Sequence, residues 1–317
     1  MIGAWRRWLD LLARREPGDA LAWFRILTGL ALLWNLVPAI VQGLVPALWM
    51  GRLDGGYRGL DGAASWLVRA LGGPTPTVVW GLVAVTLVSG VLLTLGIWGR
   101  AMALCAGQGM LAISMINNDA KGSYDALLCD SLWLLVLGES TATGSLRCRL
   151  RTGRWWSTSS VAAWPRWLAI LQITAVYGST GLHKVSAFWM PMGGYSALYY
   201  ILQQPTWHRW DLSFVAWVYP LTQVATAITW WWEVLWPVLP ISMMLRARGE
   251  GGGRLRRWAR RWDLRWPFLL WGVAMHVMIA ALMEVGPFSL ITLAYYPCLL
   301  RAEEIGRGLE RLRVRRR

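Results

Sequence analysis

Residues 21–42, "LAWFRILTGLALLWNLVPAIVQ", form a long apolar run that indicates the fold class of this chain. A helix that crosses the hydrocarbon core of a bilayer needs about 20 predominantly apolar residues. This run has that length and composition, so it predicts a membrane-spanning helix. The same template predicts eight spans in all, near residues 21–42, 78–98, 100–116, 123–140, 164–183, 222–245, 266–284 and 287–301.

The overall composition agrees with a membrane protein. The chain has 317 residues, 56% hydrophobic and 15% charged, with a mean hydropathy of +0.39, which is too apolar for an ordinary soluble domain. A net charge of +15 would suit a nucleic-acid binder. The basic residues, however, bunch between the apolar runs instead of lining one soluble face, so membrane lipids and no nucleic acid are the predicted partners.

We therefore predict an all-α integral membrane protein, a polytopic bundle of about eight transmembrane helices with an N-terminal interfacial helix. Its first segment spaces Trp5, Trp8, Leu9 and Leu12 at helical intervals among arginines, which favours a helix lying in the interface over a signal peptide. The predicted parts are a cytoplasmic amphipathic helix (1–19), the transmembrane domain (20–301) and a basic cytoplasmic tail (302–317).

The arginines predict the orientation, because short cytoplasmic loops are enriched in Lys and Arg. With the N-terminus inside, every dense basic block falls on the inner side, where it would also meet anionic lipid. Both termini are then cytoplasmic. The outer segments hold both lysines, Lys121 and Lys184, together with His183 and His208. A site facing the periplasm or exterior is predicted.

Common catalytic motifs are absent from the sequence. The four cysteines form no CxxC pair, so a disulfide framework or metal-thiolate site is not expected, and no metal is predicted. No HExxH, Walker loop, GxSxG or dinucleotide glycine fingerprint occurs in a suitable context. Metalloprotease, ATPase and serine-hydrolase functions therefore have no support.

Lys184 is unusual in a chain that uses arginine for nearly every positive charge. It follows the fifth predicted span, where a partly desolvated lysine can lose its proton and act as a base, as arginine cannot. The alternative is a cation that snorkels to the interface. Trp189 and Trp207 nearby are open to the same two interpretations, as ligand contacts or as ordinary interfacial tryptophans.

Ionisable residues also occur inside the predicted spans. Glu233 falls near the middle of the sixth span, His276 lies about 12 Å of helix rise below Glu284, and Asp130 lies in the fourth. Such groups mark a polar pathway or a structural hydrogen bond between helices. We predict that Lys184, Glu233 and His276 face one internal cavity. The polar stretch 117–119 has strong turn chemistry, so a turn competes with a catalytic role there.

The segment "EPGDALAWFRILTGLALLWNL", residues 16–36, resembles the opening of the membrane domain shared by vitamin K-dependent gamma-carboxylases and bacterial horizontally transferred transmembrane (HTTM) proteins. Later segments resemble successive parts of that domain in the same order, and together they touch most of residues 16–300. They are "VLLTLGIWGRAMAL", "INNDAKGSYDALLCDSLWLLV", "YGSTGLHKVSAFWMPMGGYSALYY", "WWWEVLWPVLP" and "AMHVMIAALMEVGPFSLI".

The resemblance implies roles for particular residues. Lys184 takes the place of the second lysine of a paired-lysine motif, which is proposed to deprotonate reduced vitamin K, and His183 takes the place of the first lysine of that pair. His276 takes a place in the quinone pocket, and Glu233 that of an intramembrane acid. The implied catalytic set is Lys184, His183, Asn118 and Asp119, and the implied set for reduced vitamin K or another quinol is His276, Glu233, Trp189 and Tyr177.

Two departures from the carboxylases shape the functional expectation. Asp119 stands where the family carries a histidine after its Asn-Asn pair, and no part of residues 1–317 resembles the large lumenal region that helps to capture the peptide substrate. Quinone chemistry at the outer face is therefore expected more than carboxylation. The alternative is a non-enzymatic HTTM factor for maturation or export of a small secreted bacterial peptide. A transporter is a third class, although the spans show no obvious inverted repeat.

Overall fold

The computed structural model describes residues 6, 9–10, 12–57, 65–247 and 253–306, and this part of the chain is mostly helical. Its α-helices are α1 Asp19–Val41, α2 Val45–Trp49, α3 Trp66–Ala70, α4 Pro76–Leu95, α5 Gly99–Ser114, α6 Ser123–Leu137, α7 Leu146–Thr152, α8 Trp164–His183, α9 Ala197–Leu202, α10 Tyr219–Val234, α11 Val238–Ala247, α12 Arg254–Arg261, α13 Arg265–Leu282 and α14 Phe288–Ala294. Short 3₁₀ helices are Arg52–Asp54, Asn118–Ala120, Ala187–Trp189, Pro191–Gly193, Pro205–Trp207, Ser213–Val218 and Tyr296–Leu299. The predicted all-α class is confirmed.

Each of the eight predicted apolar segments contains helix, but their capacity to cross a membrane differs. Among the described residues, three helices are long and apolar enough to do so: α1, α4 and α13. The sixth predicted span is divided into α10 and α11, and the eighth into α14 and a 3₁₀ helix. Pro237 stands between α10 and α11, where a proline lacks the N–H of a continuing helix and crowds the preceding turn.

The chain folds as two compact units. The outer unit, so named because it comprises the two ends of the sequence, consists of Met1–Ala169 and Gly286–Arg317. The central unit, so named because it is the middle of the sequence, consists of Ile170–Val285. In the outer unit, α1 packs against α4, α6 and α14, and α5 packs against α4 and α6. The approach of α1 to α4 is close, because a Cβ on Gly29 would lie 2.2 Å from Thr94 Oγ1.

Arg25 holds the outer unit together from a fully buried position. Its guanidinium donates hydrogen bonds to four backbone carbonyls, those of Leu93 (2.7 Å), Thr94 (3.0 Å), Ser140 (3.1 Å) and Gly144 (2.5 Å). The first two belong to the last turn of α4, where helix carbonyls have no intrahelical partners. One side chain of α1 is therefore hydrogen-bonded to both the end of α4 and the loop that precedes α7.

The first strand of a small two-stranded sheet precedes α1. Strand β1, Arg15–Pro17, pairs antiparallel with β2, Ser160–Ala162. Arg166 adds an ion pair to Glu16 through two hydrogen bonds of 2.5 and 2.8 Å. The predicted interfacial helix over 1–19 thus ends in a strand. Most of the remainder of that prediction, and residues 307–317 of the predicted tail 302–317, lie outside the described residues.

The central unit contains the end of α8 followed by α9 to α13. An aromatic cluster occupies part of its interior, where Tyr177 stacks on Trp236 with ring centroids 4.6 Å apart and meets the edge of Trp232 at 4.6 Å. A second apolar cluster joins α9 to the end of α13 and consists of Leu202, Leu212, Val215 and Met283.

Candidate functional site

The candidate site is an ion pair in the central unit. Lys184, the residue after α8, donates a hydrogen bond from Nζ to Glu233 Oε2 near the end of α10. The lysine side chain is 20% exposed and that of the glutamate 8%. The amine is therefore the half of the pair that a ligand can reach, while the carboxylate lies behind it.

Gly181 allows the two helices to approach closely enough for this pair to form. A Cβ on Gly181 would lie 2.8 Å from the backbone nitrogen of Val234 and 2.9 Å from Cβ of Glu233, closer than packed atoms tolerate. Gly178 lies one turn earlier on α8 and has more room, because a Cβ added at Gly178 would lie 3.3 Å from Cγ of Pro237. The α8 glycine beside Glu233 is thus a requirement of the site geometry.

The break after α10 also positions the carboxylate. Glu233 lies in the last turn of α10 and not in the middle of a continuous span, as its sequence position had suggested. The C-terminal end of a helix carries partial negative charge and favours a nearby cation. The helix end and the carboxylate therefore act together on the Lys184 amine.

Trp189 provides a second contact for the amine. Lys184 Nζ lies 4.5 Å from the centroid of the Trp189 ring, which belongs to the 3₁₀ helix Ala187–Trp189. Attraction between an ammonium and an indole face contributes about 0.5–2 kcal/mol, more where water is excluded. The site thus consists of a cation held between a carboxylate and a flat aromatic surface.

Tyr177 and His276 form a second polar pair in the same unit. Tyr177 Oη and His276 Nε2 are 2.6 Å apart, which joins α8 to α13. The two side chains are almost fully buried, with 4% and 1% of their residue surface exposed. Tyr177 thus occupies Nε2, one of the two ring nitrogens of His276, and a ligand that binds through Nε2 would have to displace the tyrosine hydroxyl.

The structure places the predicted central residues in two pairs, Lys184 with Glu233 and Tyr177 with His276. Trp232 precedes Glu233 in the sequence of α10, and its ring contacts that of Tyr177. A single cavity shared by Lys184, Glu233 and His276 stays a prediction. The glycine at 181 and the helix break were not recognised as site features in the sequence, although "YGSTGLH" and "WPVLP" contain the relevant glycine and proline.

His183 lies at the surface of the central unit. Its Nδ1 is 2.8 Å from the carbonyl oxygen of Ser179, one turn back on α8. This contact orients the ring along its own helix. Its predicted catalytic role stays a prediction.

Asn118 and Asp119 belong to the outer unit, where they form a tight turn. The side chain of Asn117 accepts a hydrogen bond from the backbone N–H of Asp119 at 3.0 Å and donates to the carbonyl of Leu48 at 2.9 Å. Lys121 Nζ donates to Asn118 Oδ1 at 2.8 Å. The expected turn chemistry therefore accounts for the local contacts of this stretch.

Two further chemical features bear on the site. Within the described part of the chain, no group of three or more His, Cys, Asp or Glu side chains is placed to hold a metal ion. The four cysteines are all free thiols.

No protein-family model, curated protein or solved structure matches this chain.

Proposed function

We propose that this chain is a polytopic membrane enzyme of the carboxylase-like HTTM type, which uses the Lys184–Glu233 pair to take a proton from a quinol-type or other lipid-soluble substrate. The single observation that carries the proposal is the reachable amine of Lys184 held between a buried carboxylate and the face of Trp189. The ordered resemblance of the segments around it supports the same assignment.

The pair can accept one proton without leaving an isolated buried charge. In the resting pair, the amine carries a proton that it shares with the Glu233 carboxylate. When Lys184 passes this proton to Glu233, its neutral amine can take the proton of a substrate hydroxyl. The O–H bond of the substrate breaks, Glu233 ends as a carboxylic acid, and the new ammonium compensates the negative charge left on the substrate. Arginine could not take the place of lysine, because its guanidinium stays protonated in proteins.

The residues at the amine fit a flat, weakly acidic ring. An aromatic ring can stack on the indole face of Trp189 while its hydroxyl meets Lys184. Lys184, Glu233 and Trp189 would thus hold reduced vitamin K or another quinol, and we propose that Tyr177 and His276 line the same pocket. When bound, a quinol supplies the reducing electrons for oxygen chemistry. Carboxylation of a peptide is not included in the proposal.

The proposal includes the predicted topology. Eight crossings, cytoplasmic termini and a site facing the periplasm follow from the distribution of arginines. The three long apolar helices support a membrane location. Membrane lipids would surround the helices, and a small secreted peptide would be the partner if the protein acts in maturation.

A second candidate function is the non-enzymatic HTTM factor for maturation or export of a small secreted peptide. The ion pair itself favours this candidate in one respect, because Lys184 and Glu233 also join the end of α8 to α10 without any ligand. In that case the lysine is structural, and its charge matters more than its proton.

Binding of a quinol tests the first candidate directly. A ligand that binds the native state raises the thermal unfolding midpoint in a saturable manner. Chemically reduced naphthoquinone should stabilise the purified wild-type protein, and its oxidised form should do so less. Lys184→Ala should abolish the effect, whereas Lys121→Ala, the matched change at the other lysine, should retain it. Equal stabilisation of both variants, or none of the wild type, would remove the quinol site.

A further inference from the structure

Helix α12 and the residue after it, "RLRRWARRW" over 254–262, combine dense positive charge with large apolar side chains. The stretch holds five arginines and no acidic residue: Arg254, Arg256, Arg257, Arg260 and Arg261. It belongs to the central unit but not to the Lys184 site.

The apolar side chains of α12 form one stripe. Leu255, Trp258, Ala259 and Trp262 are spaced three and four residues apart, which places them in a sector about 100° wide, while the arginines cover the rest of the helix. Ala259 is buried, but Leu255 is 63%, Trp258 45% and Trp262 56% exposed. Large apolar side chains beside arginines thus remain accessible on the outside of the unit.

The helix is held in place by groups other than its exposed side chains. Arg246, near the end of α11, donates from Nη1 to the carbonyls of Ala259 at 2.6 Å and Arg260 at 2.8 Å. The acid that follows the helix, Asp263, pairs with Arg246 at 3.4 Å and with Arg265 at 2.6 Å. The negative charge of Asp263 is therefore compensated by Arg246 and Arg265.

We propose that α12 is an interfacial helix that binds anionic phospholipid headgroups. Leu255, Trp258 and Trp262 would enter the boundary between headgroups and acyl chains, and the exposed Arg257 and Arg261 would bind lipid phosphates. An amphipathic helix with a cationic polar face and tryptophans on its apolar face has the composition of such helices. The helix is followed within four residues by the start of α13, which is apolar enough to cross a membrane, and this continuity favours a lipid surface over nucleic acid.

This inference rests on the proposed membrane location but not on the chemistry of Lys184. Removing two arginines tests it with charge-matched controls. The full-length protein in a neutral detergent is titrated with phosphatidylglycerol or phosphatidylcholine, and the apparent lipid affinity is obtained from the rise in unfolding midpoint. The variant is Arg257→Gln with Arg261→Gln. The control removes the same charge from α7 as Arg147→Gln with Arg151→Gln.

The wild type should prefer phosphatidylglycerol. An arginine near an anionic surface contributes about five-fold in affinity, so the α12 variant should bind phosphatidylglycerol about 25-fold more weakly. The α7 control should bind it within a few-fold of wild type, and binding of phosphatidylcholine should change little in either variant.

Several results would overturn the inference. Equal losses in the two variants would show that only the total charge matters, and no preference for phosphatidylglycerol in the wild type would remove the site. Equal protection by a short DNA duplex would assign the surface to nucleic acid. Extraction of membranes with alkaline carbonate distinguishes the two proposals. If the protein stays in the membrane but lacks the lipid preference, only the α12 site is refuted. If carbonate releases the protein, the membrane location itself is refuted.

Discussion

Replacing Gly181 with alanine should separate α8 from α10 and break the ion pair between Lys184 and Glu233. A Cβ at residue 181 would meet the backbone of α10, with Val234 N at 2.8 Å and the Glu233 carbonyl carbon at 3.0 Å. Backbone atoms of a helix cannot rotate away as the end of a side chain can. The contact must therefore be relieved by a shift of one helix against the other.

The expected magnitude follows from two opposing terms. Alanine in place of a helical glycine stabilises the helix by about 1 kcal/mol. Overpacking of a well-packed contact costs about 1–3 kcal/mol. Gly178→Ala is the matched control, because the same helix gains the same propensity while the nearest atom, Cγ of Pro237, lies at 3.3 Å. Gly181→Ala should therefore be less stable than Gly178→Ala by about 1–3 kcal/mol.

Two measurements check this prediction. The first is the unfolding midpoint of the two variants in the same detergent. The second is limited acetylation followed by mass spectrometry, with the degree of modification at Lys184 expressed relative to that at Lys121, the only other lysine in the chain. Gly181→Ala should lower the midpoint and raise this ratio. Equal midpoints and equal ratios in both alanine variants would refute the role assigned to Gly181.

Further predictions concern the rest of the chain. Arg25→Lys should lower the free energy of unfolding by about 3–6 kcal/mol, because a lysine can keep about two of the four charged hydrogen bonds and each lost bond costs about 1.5–3 kcal/mol. Denaturant unfolding in micelles measures this free energy, and a decrease of less than about 1 kcal/mol would contradict the prediction. Burial acts to raise the pKa of Asp263, but hydrogen bonds from Arg265 and the charges of Arg265 and Arg246 lower it overall. The ionised Asp263 carboxylate should therefore stabilise the folded protein at neutral pH and cease to do so as the pH falls below about 4. The difference in free energy of unfolding between wild type and Asp263→Asn should shrink in acid, and a difference that does not depend on pH would contradict this prediction. Cysteines introduced at Gly122 and Gly193 should react with an impermeant maleimide in intact cells and one at Gly252 should not, and the reverse pattern would invert the topology.

The positions of the helices could be predicted from the sequence because apolar run length and helix length are linked. The run 21–42 became α1, Asp19–Val41, within two residues at either end. The division of the sixth span could not be predicted in this way. Pro38 lies inside α1 without ending it, whereas Pro237 separates α10 from α11. The residue type is the same at both positions, so a proline in an apolar run does not by itself predict where the helix ends.

The candidate site was only partly accessible from the sequence. Lys184 and Glu233 stood out as ionisable groups in an apolar chain, and both lie at the site. Their direct pairing could not be predicted, because they are 49 residues apart and meet only through the close contact at Gly181. The tyrosine partner of His276 was likewise hidden, because a tyrosine in an apolar helix is an ordinary core residue.

The substitution Lys184→Arg distinguishes proton transfer by Lys184 from a purely structural ion pair. Arginine keeps the positive charge, can form the ion pair with Glu233 and can lie over Trp189, so it preserves a structural role while removing the proton transfer. The rate of oxygen-dependent oxidation of reduced naphthoquinone is measured in proteoliposomes at matched protein levels, with Lys121→Arg as control. If Lys184 is the base, the oxidation rate should fall by at least about 100-fold in Lys184→Arg and should not change in the control. Oxidation at the wild-type rate by Lys184→Arg would contradict the lysine-base mechanism and leave the pair a structural contact of an accessory membrane protein.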